Sequence, residues 1–480
     1  MKIQHLLIVL FISVFAVSCD DEEKDQLKLN SYINEWVYVN MEAYYYWNKE
    51  LPVFRKTNES PENYFESLIN EEDRFSAFFD DYEALMNRLN GVSPSEVGFD
   101  YSLFRGSATD NSVVAVVNYT KANTHAQQLG IKRGDVINRI NGTHLTMENY
   151  QQTLAAMSDA TTSVKLGFAS YSGSAYVDGQ ELTVNKSTNY VENPILLDTI
   201  FTVNSKKIAY LVYNFFTGDP GDQSQRYDLE LNNIMGRFST ENINELVIDL
   251  RYNSGGMMSS AIRLGSMLVP GLSNDKVFSY TEYNDNLTEY FNSEDYKKKY
   301  SDNPFTEYFV TAMNVNTQTR PIHNISNHIN RIYFLTGRST ASASEMVING
   351  LKPYLPCYLI GETTTGKNVG SIVINDEDNS KNKSAFMPIV LKYFNKDRKS
   401  DFTFGFQPDF ELRDDFDYQL GDTREALLAR AIAEITGKQA IRIVSTSKAL
   451  VLKEQLPSRK QSMLIVEPTQ IKNQIIPKSK

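Results

Sequence analysis

Between residues 195 and 440 short apolar runs alternate with stretches of helical periodicity, and this alternation restricts the chain to an α/β core. Ile208–Tyr213, Leu246–Leu250, Ile332–Thr336, Tyr358–Ile360 and Ala385–Tyr393 read as strands; Ser224–Phe238 and Met257–Leu268 read as helices. Two strand exits carry unusual residues. Ile332–Thr336 enters Gly337-Arg338-Ser339-Thr340-Ala341-Ser342-Ala343-Ser344-Glu345 and then a helix. A hydroxyl at such a junction lies at the strand's carboxyl edge, beside the N–H groups that a new helix leaves without internal partners. Those donors can receive an oxyanion. Ser339, Ser342 and Ser344 compete for a nucleophilic role, while helix capping or tight packing would use the same residue types. Spacing alone does not choose among them.

The second exit follows Tyr358–Ile360: Gly361-Glu362-Thr363-Thr364-Thr365-Gly366-Lys367-Asn368-Val369-Gly370. A lysine set in a loop of small residues can bring its stem close to another backbone. The loop is not a phosphate-binding GxxxxGK[ST], because Asn368 follows Lys367 and the strand does not lead into a helix. Other chemistries are also excluded. Cys19 and Cys357 are the only cysteines, which removes a disulfide framework and a cysteine-based zinc site. No histidine has metal-ligand spacing, and no cofactor is implied. A net charge of −11 argues against nucleic acid as a partner. No paired-carboxylate or G-x-S-x-G pattern supports carbohydrate or lipid hydrolysis.

At the amino end, Lys2 precedes an apolar run from Leu6 to Val17. About a dozen residues is too short to span a bilayer and suits a signal-peptide core. The run ends in Ala16-Val17-Ser18-Cys19, which resembles a bacterial lipobox, although Ala16 stands where leucine is usual. The resemblance implies a lipoprotein signal over residues 1–18, acylation of Cys19 and a membrane anchor. It makes the chain an exported outer-membrane lipoprotein, on the periplasmic face or at the cell surface; an ordinary secretory signal is the alternative. Asp20-Asp21-Glu22-Glu23-Lys24-Asp25 opens an acidic tether over 19–30 and resembles the surface-sorting signals of some Gram-negative lipoproteins. Residues 31–92 read as a small helical region: Leu29, Ile33, Trp36, Val37, Met41, Tyr44 and Tyr45 recur at helical spacing, and Pro61–Asn70 and Asp81–Asn90 suit two shorter helices.

From 93 to 190 the pattern turns to short strands. Ser112–Asn118 is a β run, Gly134-Asp135 turns into Val136–Ile140, and Asn141-Gly142 is a hairpin signal. Thr146–Met157 suits a helix. The stretch Gly130–Thr146 resembles a PDZ domain, a fold that holds a peptide C-terminus on a backbone loop while the peptide adds as a strand. That resemblance places Gly98, Phe99, Asp100 and Tyr101 at the carboxylate-binding loop. Such a module can also merely brace its neighbour. Residues 441–480 are basic, are broken by Pro457, Pro468 and Pro477, and read as a peripheral tail. The isolated Ser445-Thr446-Ser447-Lys448 fits S-x-x-K but lacks its S-D-N partner.

Taken together, the serine and lysine stretches resemble the C-terminal processing peptidases, or tail-specific proteases. Ser342 falls in the family's S-A-S-E run and Lys367 in G-E-x-T-x-G-K, twenty-five residues later. Val247-Ile248-Asp249-Leu250-Arg251-Tyr252-Asn253-Ser254-Gly255-Gly256 matches its D-L-R-x-N-x-G-G, and Gly405–Asp409 and Leu420–Leu428 resemble its closing segments. The resemblance covers residues 30 to 438. It implies a multidomain α/β protein: a small helical region, a PDZ-like β domain and a crotonase-like peptidase core over 195–440, acting on protein or peptide substrates. A serine hydroxyl needs a base, and none of His125, His144, His323 and His328 has a catalytic context. Lysine serves only when neutral, so burial must take Lys367 from about 10.4 to about 7. Backbone N–H groups of Ala343 and of Gly255 or Gly256 are the expected oxyanion donors. Several relatives carry glutamine four residues after the lysine to orient its amine; here that position is Ser371. The contrasting reading is a catalytically silent, peptide-binding lipoprotein on the same scaffold. Retention of both Ser342 and Lys367 argues against it, since a scaffold needs neither.

Overall fold

The computed structural model describes residues 3–107, 110–173, 175–300, 303–315, 318–437, 455–456 and 463–465. Ser445 and Lys448 lie outside the described residues, as do most of the tail and the side chain of Cys19. Helix α1 (Ile3–Tyr44) continues unbroken through the acidic segment expected as a tether. Among the described residues no helix is long and apolar enough to cross a membrane. From Ile33 onward the predicted stripe of α1 is buried: Ile33, Val37, Met41, Tyr44 and Tyr45 join the main core. Helix α2 (Pro61–Glu66) opens with Ser60 accepting from Asn63 N and proline in its first turn. Asp81 caps α3 (Tyr82–Leu89) in the same way.

A β unit follows. Its strands are β1 (Val92–Glu96), β2 (Phe99–Arg105), β3 (Val113–Thr120), β4 (Val136–Ile140), β5 (Ser163–Tyr171), β6 (Tyr176–Asn185) and β7 (Ser187–Val191). The antiparallel pairing of β1 with β7 brings the chain in and out side by side, and β2 to β6 form one sheet in the order β2-β3-β4-β5-β6. Asn141 and Gly142 both have positive φ, as their hairpin turn requires. The helix expected over Thr146–Met157 is shorter: α4 (Tyr150–Leu154) followed by a single 3₁₀ turn. Asn149 Oδ1 accepts the Thr146 N–H at 2.8 Å, a local turn that delays the helix start.

The core begins with β8 (Ile195–Val203), β9 (Lys206–Tyr213), α5 (Arg226–Thr240), β10 (Glu245–Asp249), β11 (Gly255–Met257) and α6 (Met258–Leu268). It continues with β12 (Val277–Tyr283), β13 (Thr306–Tyr308), β14 (Ile332–Thr336), α7 (Ala343–Leu351), β15 (Cys357–Gly361) and β16 (Val369–Ser371). Then come β17 (Ile389–Phe394), β18 (Phe410–Glu411), α8 (Ala426–Thr436) and β19 (Met463–Ile465). One sheet has the order β8-β9-β10-β14-β15-β18, parallel except for the β8–β9 hairpin. Both of its faces are covered, as parallel sheets require. Ile208, Tyr210 and Val212 of β9 meet Leu427, Leu428 and Ala431 of α8, while Ala209, Leu211 and Tyr213 face the larger core with α1 and α5–α7. A second sheet, β11-β19-β16-β17-β12-β13, takes up the ends of the Asp249–Ser254 loop and of the lysine loop. The sequence reading missed it because four of its strands are only three residues long and two of those hold glycine.

An ion cluster joins the β unit to the core. Arg251 donates to both oxygens of Asp249 and to both of Glu425, with all three side chains at or near zero exposure. Arg133, from the β unit, pairs with Asp414 and Tyr252, and its Nε donates to the Tyr418 carbonyl at 2.9 Å. The tail departs from its peripheral reading at two places. Leu456 is buried among the β unit's apolar residues, and β19 is paired on both sides, because each place is an edge with unspent backbone groups.

Removing one partner of a buried pair strands the remaining charges. Arg251→Ala is therefore expected to lower stability by about 3–5 kcal/mol, read as an earlier first transition in urea; an unmoved transition would contradict this account of the cluster.

Candidate active site

Ser342 sits at the turn from β14 into α7 with φ 62° and ψ −113°, a sparsely populated conformation for a side-chain-bearing residue. Strain of this kind costs about 1–3 kcal/mol and persists only where the surroundings enforce it. Here Thr340 Oγ1 donates to Leu250 O at 2.7 Å, and Ala341 N donates to Asn253 O at 3.1 Å. These bonds pin the turn to the loop after β10. The three competing hydroxyls differ in use. Ser344 Oγ is spent on Asn253 O at 3.2 Å, Ser339 is half-buried among Arg338 and Glu362, and Ser342 Oγ is buried without a hydrogen-bond partner.

Lys367 is fully buried, and burial brings its amine down to about 7, against smaller opposing effects from Asp73 and Glu345. Its Nζ lies 5.2 Å from the centre of the Phe75 ring. The two loops are tied by one carboxylate. Glu345 Oε2 accepts from Ser342 N and from Lys367 N, each at 2.8 Å, while Oε1 accepts from Gly366 N at 2.7 Å and Thr364 Oγ1 at 2.5 Å. The two backbone nitrogens therefore lie no farther apart than twice that 2.8 Å bond. Tyr393 adds a second tie, its hydroxyl donating to Lys367 O at 2.9 Å and Ser342 O at 3.2 Å. Burial pushes Glu345 up, opposed by these donors.

Of the expected oxyanion donors, Ala343 N–H stands at the first helical position, where a helix supplies no acceptor. Gly255 N–H is already given to Asn253 Oδ1 at 2.9 Å, so Gly256 is the better second donor. Gly256 has φ +137°, and a Cβ there would meet Phe216 O at 2.0 Å, so only glycine fits. Ser371 is buried with its Oγ unpartnered. The Gly98–Tyr101 loop also differs from expectation. Gly98 N–H is taken by Glu96 Oε1 at 2.8 Å, an internal carboxylate in the place expected for a peptide's, and Glu96 and Glu192 share Lys121. Phe99 is buried beside Tyr101, and Asp100 accepts from Asn118.

Sequence reading gave no role to Glu345, although it stands in the quoted run, nor to Asn253 and Tyr393. It also missed the reach of the helical region into the core. Ala77–Phe79 pairs with Ala385–Met387, Arg74 donates to Gly366 O at 2.8 Å and to Thr403 O, and Asp73 holds the N–H groups of Phe75 and Ser76. No short-range pattern announces such contacts. Among the described residues, the acidic group close enough to share a cation is Asp414, Asp415 and Glu425, and Arg133 and Arg251 already supply it with positive charge. A hydroxyl, a neutralisable amine and backbone donors are the chemistry this arrangement offers.

Two family models match the chain: the peptidase family S41 domain over residues 207–412 and the peptidase S41 N-terminal domain over 32–77, together more than half of it. Among solved structures, a Bacteroides fragilis protein described as an S41 protease is 24% identical with TM-score 0.66, over 84% of this chain and 97% of that one. The photosystem II D1 C-terminal processing protease is 16% identical with TM-score 0.48, over 84% and 96%. Mature CPAF complexed with lactacystin is 13% identical with TM-score 0.44, over 86% and 97%. No curated protein matches the chain.

An amine held near 7 inside the fold but titrating near 10.4 in the unfolded chain takes up a proton on unfolding between those values. Stability therefore rises with pH across that window. Lys367→Met removes the penalty and is expected to raise stability at pH 7 by about 2–4 kcal/mol and to flatten the pH dependence. Urea midpoints at pH 7 and 9.5 check both; a lower midpoint for the variant at pH 7 would refute the burial argument.

Proposed function

Since the chain belongs to peptidase family S41 and is a serine-type peptidase acting on protein or peptide substrates, we propose that Ser342 is its nucleophile and Lys367 its general base. The observation that carries this reading is the shared Glu345 carboxylate, which holds an unpartnered hydroxyl and an amine near 7 on adjoining loops. Neutral Lys367 Nζ takes the Ser342 proton as Oγ attacks the scissile carbonyl carbon. The oxyanion is received by the N–H groups of Ala343 and Gly256. The lysine's proton passes to the departing amine, the C–N bond breaks and an acyl-enzyme ester remains. Water, deprotonated by the same amine, then releases the acid and restores Ser342 Oγ–H.

The β unit serves as a PDZ-like module that presents extended segments along β2, the terminal strand of its sheet, rather than through the Gly98 loop. The lipobox-like Ala16–Cys19 supports a lipid-anchored protein of the cell envelope; globomycin-sensitive processing and palmitate labelling lost in Cys19→Ala would test it.

A fluorophosphonate probe is expected to label the protein on one serine, and Ser342→Ala to abolish both labelling and turnover. Unchanged labelling of that variant would remove Ser342 from the mechanism. Lys367→Ala is expected to lose at least ~10³-fold in turnover while staying folded.

The base must be neutral, so kcat/KM is expected to rise with pH through a limb near 7. The Asp73 charge favours the protonated amine, so Asp73→Asn is expected to move that limb to lower pH. A limb displaced upward would show that another group titrates.

A further inference from the structure

Ser342 and Lys367 are fully buried, a state in which no polypeptide reaches them. The elements beside them indicate what stands in the way. β19 (Met463–Ile465) runs between β11 and β16, parallel to both. Gly255 faces Met463, Gly256 faces Leu464, Met257 faces Ile465, and Ser371 faces Ile465 as well. β11 carries the Gly256 oxyanion donor, and β16 starts two residues after Lys367. An extended chain in this position fills the strand slot between the two halves of the catalytic apparatus.

The same tail makes a second strand-like contact. Gln455 bridges Phe104 in antiparallel fashion, and Leu456 N donates to Leu103 O at 2.9 Å. Leu456 is 7% exposed and belongs to the apolar core of the β unit with Val113, Leu154 and Val184. β2 is the terminal strand of its sheet. Addition of an extended segment to such an edge, with one apolar side chain lodged beneath, is how strand-adding peptides are held. Two stretches separated by six residues in sequence thus take both places that a presented substrate needs, one on the β unit and one beside the nucleophile.

We propose that Gln455–Leu456 and Met463–Ile465 are built-in competitive occupants of the substrate cleft, displaced when an extended polypeptide arrives. The proposal rests on the reading of this cleft as the peptidase's substrate site. β19 offers three paired positions against β11 and one against β16, a short ladder that an incoming chain can replace. Tethering makes the contest intramolecular, with an effective tail concentration on the order of millimolar. The tail therefore raises the apparent KM and leaves kcat nearly unaltered.

The test compares the full chain with two full-length variants. Leu464→Pro places in β19 a residue that strand ladders tolerate poorly, and Leu456→Asp removes the apolar anchor on the β unit. Fluorescein-labelled casein is the substrate. Each variant is expected to show an apparent KM lower by about fivefold or more, kcat within about twofold, and proportionally faster fluorophosphonate labelling. A synthetic peptide spanning Gln455–Pro468 is expected to restore the parent KM as a competitive inhibitor. KM values equal to the parent's in both variants, with an inert peptide and intact labelling of Ser342, overturn the proposal. Absence of labelling in parent and variants alike sinks the peptidase assignment of Ser342, and this proposal with it. A variant that unfolds is recognised by circular dichroism, and the other variant and the peptide then decide.

Discussion

A single buried carboxylate, that of Glu345, accepts from Ser342 N, Lys367 N, Gly366 N and Thr364 Oγ1. These donors come from the exits of two neighbouring parallel strands, β14 and β15. An acceptor of this kind has a high cost if any donor is lost, because each would be stranded away from water. The strained backbone of Ser342 and the uncharged tendency of Lys367 are both unfavourable on their own. They persist because the Glu345 carboxylate fixes where both loops lie before any side-chain chemistry begins.

The amine is set by more than its own loop. Phe75 lies across from Nζ, Asp73 supplies an opposing charge, and Arg74 grips the carbonyl of Gly366. All three come from the connection that follows α2, some three hundred residues away in sequence. The helical region is thus a wall of the site as well as a cover for the core. Across the molecule, Arg133 joins the β unit to Asp414, beside the Arg251–Glu425 pair of the core, so the parts of the chain are coupled through buried charge as well as through the apolar contact of Phe104 and Val114 with Phe416.

The sequence disclosed what local chemistry controls. Ile332–Thr336 is a strand with the expected bounds, and the α6 expectation, Met257–Leu268, differs from the observed helix by one residue. Asn141-Gly142 turns a hairpin, and burial brings the Lys367 amine down to about 7. What escaped were facts of distance. Four of the second sheet's six strands have only three residues, Gly98 spends its N–H on Glu96, and the same is true of Gly255 with Asn253. Ser371 could be nominated only by its offset from the lysine, and the structure shows it buried in β16 with its Oγ unpartnered. The tail was read as peripheral because its prolines and charge suppress any periodic signal, whereas its pairing depends on edges that exist only after everything else has folded.

The β1–β7 ribbon has a consequence of its own. A chain that leaves and rejoins its host through two adjacent antiparallel strands is topologically an inserted cassette, and its removal would leave two stubs already side by side. Such a stem bends more readily than a broad sheet, and the Arg133 contacts form a latch at some distance from it. Beyond the stem, the cassette is anchored by one guanidinium flanked by aromatic rings, Phe104 against Phe416 and Tyr119 against Tyr252.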